Sequence, residues 1–87
     1  MKPRDEYFSR ELKYSLGVET ESGSHYVSFP VTNGIADYEE YYTLTAEQYA
    51  LFLADADIAH AFVEEARRRE HDDMLLQKPG WNRGIPT

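Results

Sequence analysis

The stretch NGIADYEEYYTLT, residues 33 to 45, decides the fold, because a turn, a strand and a helix start follow one another within it. Asn33 and Gly34 both tolerate positive φ and mark a tight turn. Ala36 to Leu44 then reads as a strand, rich in tyrosine and carrying three acids and three tyrosines between Asp37 and Tyr42. Thr45, with Gln48 three residues on, makes a T-x-x-Q capping box that closes the strand and opens a helix through Tyr49, Phe52 and Leu53.

Upstream of that turn, Tyr14, Leu16 and Val18 alternate with polar neighbours, and Tyr26, Val27, Phe29 and Val31 follow the break at "ESGS". This predicts a hairpin of two strands. Pro30 donates no ladder hydrogen bond, so the second strand is expected at a sheet edge or interrupted there. The N-terminus has only a weak helical pattern, over Asp5 to Leu12.

Downstream, Asp55 or Asp57 caps a second helix whose apolar face is Ile58, Phe62, Val63 and Ala66, with arginines in its last turns where they complement the helix dipole. Pro79 and Gly80 stop any helix, leaving residues 79–87 as an extended tail with Trp81 as its expected pin. The expectation is one α+β domain over residues 1–78, a three-stranded antiparallel meander with two helices packed on one face.

Side chains alternate across a strand, so Tyr38, Glu40, Tyr42 and Leu44 share one face and Asp37, Glu39 and Tyr41 the other. Leu44 and Tyr42 are the core-like pair. The first set is therefore expected inward and the second in solvent, an acid-acid-tyrosine row. Tyrosine offers rigid contact area with a polar tip, and carboxylates beside it complement a cationic partner. The same residues also serve a bland purpose, since acids on a sheet protect it from pairing with other chains.

Charge distribution bears on that choice. The chain of 87 residues has nine Lys and Arg against sixteen Asp and Glu, for a net charge of −7, and residues 14 to 66 contain no basic side chain among ten acids. Such a surface opposes binding to nucleic acid or anionic lipid. A domain this short buries roughly 60–65 % of the surface its unfolded chain exposes, which favours an interaction surface over a deep active site. Without cysteine there is no disulfide and no thiolate chemistry, and with no apolar run of signal-peptide or membrane-spanning length the cytoplasm is the expected compartment.

Catalytic and metal signals are thin. His60 and Glu64 lie on one helical face at i, i+4, but His71 is about 16 Å further along the helix axis and cannot complete a site with them. No Gly-rich phosphate loop or nucleophile elbow occurs, and Glu39 and Glu40 point to opposite faces. No enzyme activity, cofactor or metal is expected. The sequence points instead to an acidic inhibitor that binds a basic protein. In that reading it is an immunity or antitoxin-type domain occluding the cleft of a nuclease-like toxin, with Asp37, Glu39, Tyr41, Asp55 and Asp57 at the interface. The alternatives are an accessory subunit of a larger assembly, and a phage-type nucleic-acid mimic.

Overall fold

The computed structural model describes residues 1–87. It is an α+β fold in two layers. Strands β1 (Pro3–Ser9), β2 (Tyr14–Glu19), β3 (His25–Thr32) and β4 (Asp37–Leu44) form an antiparallel meander in the order β1-β2-β3-β4. Helices α1 (Ala46–Ala54) and α2 (Ala56–Arg67) cover one face, a 3-10 turn spans Asp72–Met74, and β5 (Ile85–Pro86) pairs with β3.

The expected three strands are thus β2, β3 and β4, and the meander has a fourth strand where a weak helix is expected. Every β1 residue from Pro3 to Phe8 is exposed, and the register shifts at Glu6, so the period-2 signal of a half-buried strand is missing. Long-range partners hold β1 instead: Tyr26 Oη donates to Asp5 at 2.5 Å and Tyr49 Oη donates to Glu6 at 2.6 Å. Charges, Pro3 and the bulge also protect this edge from further pairing.

Pro30 lies in an interior strand, not an edge one. Its carbonyl accepts from the amide of Thr87, so its missing N–H also points away from β4, to the side where pairing with β2 ends at Ser28. The ladder with β4 is therefore intact. In the turn at Asn33, its Oδ1 accepts from the amides of Ile35 and Ala36, both at 2.9 Å, while Gly34 takes φ +85°.

The core lies between sheet and helices. Tyr14, Leu16, Val27, Phe29, Val31, Tyr42 and Leu44 pack against Tyr49, Phe52, Ala59, Val63 and Ala66, with the Phe29 and Tyr42 rings stacked at 5.4 Å. Both halves of the Thr45/Gln48 capping box form. Asp55 is the residue that caps α2, accepting from the amides of Asp57 and Ile58. On α2 the buried positions are Ala59, Val63 and Ala66, and Ile58 is 40 % exposed at the rim. The helix ends where Arg69 takes φ 64°, with the Arg69 amide on the Ala66 carbonyl and the Glu70 amide on that of Glu65.

Between β2 and β3, Glu19 organises the turn. Its carboxylate accepts from the Ser22 hydroxyl and from the amides of Lys2, Glu21 and Ser22, at 2.6 to 3.0 Å. These donors, the Ser22 hydroxyl first, lower its pKa from the ordinary 4.5 to about 2. A depressed carboxylate stabilises the fold above its unfolded pKa and loses that effect as pH falls through 4.5 toward 2. The Glu19→Gln variant is expected to unfold at lower urea than the parent at neutral pH and to show a shallower fall in midpoint over that acid window. Parallel midpoint curves for the two proteins would contradict this role.

Candidate functional site

The face of the sheet that carries no helix is assembled from alternating positions on four strands. Phe8, Ser15, Ser28 and Tyr41 stand in one cross-strand row, and Asp5, Gly17, Tyr26 and Thr43 in the next, with Glu39 opposite Pro30. The expected alternation on β4 is present: Tyr42, Glu40 and Leu44 are buried under the helices, Asp37 is exposed, and Glu39 and Tyr41 are half-buried.

This open face is less solvated than alternation alone implies. Tyr26 lies flat across Gly17 and is 0 % exposed, and Tyr41 meets its ring edge-on at 4.9 Å. Ser28 is fully buried beneath them and donates to Glu39 at 3.0 Å. Burial pushes the Glu39 pKa up; the Ser28 hydrogen bond opposes that push, and the negative charge of Asp5 adds to it. Burial likewise raises Tyr41, with Glu39 and Asp5 contributing. Glu39 is thus an unpaired carboxylate in a half-buried position, which is energetically unfavourable for its ionised form.

Asp55 and Asp57 do not join this row. They sit at the junction of α1 and α2, in the layer on the other side of the sheet, and the Asp55 carboxylate is engaged in capping. On the two helices Leu51, Leu53 and Ile58 are 47 %, 50 % and 40 % exposed, Leu51 and Leu53 on different sides of α1, and Glu47 and Asp57 stand in the first turns. The five residues expected at one interface therefore occupy two separate surfaces.

A second element of the site lies in the C-terminal segment. The amide of Leu76 bonds to the Tyr41 carbonyl at 2.8 Å on the outer edge of β4; the chain then arches away and returns at Arg83. Arg83 is held by Glu40 at 2.8 and 3.0 Å and by Asp72 at 2.7 and 2.9 Å. The amide of Gly84 bonds to Tyr38 Oη at 2.7 Å. Between this arch and the strand is a groove of about 380 Å³, lined on the strand by Tyr38, Glu39 and Tyr41 and on the arch by Lys78, Trp81 and Asn82 among others. Trp81, the expected pin, is 97 % exposed at the arch, and Arg83 does the pinning. The sequence signal for this groove is slight: a tryptophan among Pro79, Gly80 and Gly84 in an otherwise polar tail.

Charge pairing is one-sided across the molecule. Arg4, Arg67, Arg68 and Arg83 each meet a carboxylate. Seven of the sixteen side-chain carboxylates have a basic nitrogen within 4.0 Å, which leaves nine without one, Asp5, Asp37, Glu39, Glu47 and Asp57 among them. His60 pairs with Glu64 at 3.2 Å; His71 pairs with Glu65 at 2.9 Å and stacks on Phe62 at 4.3 Å. No three His, Asp or Glu side chains are grouped to hold an ion. No helix is long and apolar enough to cross a membrane. Compared with known protein families, curated proteins and solved structures, the chain matches none.

Proposed function

We propose that this chain is a non-catalytic, acidic protein-binding domain that captures a basic protein, as an immunity or antitoxin-type inhibitor does when it occludes the cleft of a nuclease-like toxin. The observation that carries the reading is the set of nine carboxylates without a basic partner on a domain whose arginines are largely engaged internally. Carboxylates with no cation beside them set up a long-range field that steers a basic partner in and matches a cleft built for phosphate. Half-buried Glu39, unpaired despite the cost of its ionisation, is the kind of charge that a partner's cation satisfies.

A second reading has its own support. Leu51, Leu53 and Ile58 on α1 and the start of α2 are exposed apolar side chains of the sort an accessory subunit buries in an assembly. The two readings differ in their response to salt and in which residues matter. The tagged chain is used to capture its partner from lysate of the cells that make it, and the retained protein is purified for rate measurements. Association is expected to slow steeply between about 0.05 and 0.5 M salt.

Asp37→Lys with Glu39→Gln is expected to fold within about 1 kcal/mol of the parent and to bind at least about tenfold more weakly. Glu47→Lys with Asp57→Lys, which opposes two helix dipoles, is expected to cost about 1 kcal/mol of stability and to slow association by weakening the overall field while leaving the dissociation rate nearly unchanged. Salt-independent capture that survives both pairs of substitutions would overturn the inhibitor reading in favour of apolar docking.

A further inference from the structure

The outer edge of β4 is only partly covered. Peptide groups alternate sides along a strand, and register with β3 together with the Leu76 bond places the amides and carbonyls of Tyr41, Glu39 and Asp37 on the outer side. Leu75 and Leu76 cover this edge at Tyr42 and Tyr41. Beyond them, at Glu39 and Asp37, β4 is the last strand of the sheet and no backbone meets it. The arch over residues 77–82 stands off from that length of edge, and the groove is the space it leaves.

Three features converge on that space. Unpaired peptide groups offer main-chain hydrogen bonds in the geometry of one more strand. Glu39 lines the groove, and Asp37, outside its lining, stands two residues away on the same open face; neither has a basic partner in the fold. Trp81 presents almost its whole ring to solvent on the opposite wall, although a buried or interfacial position is the usual place for so large an apolar surface. From Asp37 to Glu40 the uncovered edge runs about 10 Å at roughly 3.3 Å per residue, the span of three or four extended residues.

A second copy of this chain is a poor occupant. Two-fold pairing of one β4 edge with another sets the Asp37 and Glu39 row against itself, and like charges directly opposite are destabilising. A cationic segment reverses the sign of that interaction. Lys78 is the one unpaired cation lining the groove, and it lies on the arch rather than on the strand.

We propose that the groove receives an extended, basic segment of the partner, which adds to the outer edge of β4 through Asp37 and Glu39, sets an Arg or Lys against their carboxylates, and packs on Trp81. The proposal rests on the reading that the domain captures a basic protein, and assigns the place and mode of that capture. An arginine satisfies Glu39 with a planar pair of donors, while the adjoining peptide groups fix the register of the added strand.

The test uses the full chain and a capped hexapeptide alternating valine and arginine, read by the fluorescence of Trp81, the only tryptophan, and by amide shifts. The expected result is saturable binding with shifts concentrated from Asp37 to Tyr41 and Gln77 to Asn82. It should weaken about tenfold or more when glutamate replaces arginine in the peptide, or when the peptide's pairing amides are N-methylated. No saturable change, or equal binding of the N-methylated peptide, overturns strand addition in the groove. Capture of the intact partner, scored alongside, separates the two ideas. Salt-sensitive capture with no peptide binding leaves the inhibitor reading standing without the groove. Peptide binding without any salt-sensitive capture supports the groove and removes the inhibitor.

Discussion

Arg83→Ala is expected to lower the unfolding free energy by about 3–5 kcal/mol, the range for removing one partner of a buried ion pair. The reason lies in what the substitution leaves behind. Glu40 is 6 % exposed on the helix-side face of β4, and its carboxylate takes two donors from Arg83 and one from Tyr42 Oη at 3.1 Å. Without the guanidinium, that charge keeps a single hydroxyl and little water. The Asp72 side of the network is more exposed and contributes less.

Because Arg83 also ties the C-terminal segment to β4, the variant should lose hydrogen-exchange protection in β5 and at Gly84 before the rest of the sheet opens. Replacing both Arg83→Met and Glu40→Met should recover more than half of the loss, since two apolar side chains leave no orphan charge. A loss below about 1 kcal/mol in urea unfolding would mean that Glu40 is solvated and that other contacts hold the tail.

That network also marks how far the sequence could be read. The inward place of Glu40 follows from the period of β4 and the apolar character of Tyr42 and Leu44, so the two faces of this strand are legible locally. Its partner is not, because Arg83 lies 43 residues away behind a proline and a glycine, and Trp81 is the more obvious anchor by size. In the fold the size argument fails: Arg83 has carboxylates waiting for it, and Trp81 has nothing to pack on.

The N-terminal strand fails to be legible for a related reason. Arg4, Asp5 and Glu6 have no apolar alternation, and their stabilising partners, Tyr26 for Asp5 and Tyr49 for Glu6, come from the open face of β3 and from α1. Tertiary pairing there overrides a weak local preference. The candidate interface was legible as charge but not as a surface. Asp55 and Asp57 share the sign and the sequence window of Asp37 and Glu39, yet the sheet divides them, and periodicity within one element carries no information about that division.

Gly17→Ala is expected to cost about 1–3 kcal/mol, the range for forcing extra volume into a packed site. Gly17 lies in mid-strand, and what it supplies is space for two neighbours. A Cβ built there stands 2.2 Å from the Arg4 carbonyl oxygen and 2.5 and 2.7 Å from Oη and Cζ of Tyr26. A ring tip can swing aside; the backbone of Arg4 moves only if β1 moves with it, and β1 is an edge strand, exposed from Pro3 to Phe8, that pairs on one side only, with β2, and is anchored by the hydrogen bonds of Asp5 and Glu6. The methyl group should therefore act on the sheet unevenly. Amides of β1 should lose protection, and the Tyr26 hydroxyl should lose Asp5, while β3 and β4 keep their exchange rates because their ladder and the helical core beneath them are untouched. Tyr26→Leu on the alanine background removes the aromatic clash but not the one with Arg4, so it should recover only part of the loss. Full recovery would assign the whole cost to the ring, and an alanine variant within about 0.5 kcal/mol of the parent would show that β1 adjusts freely and that glycine is not required for its approach.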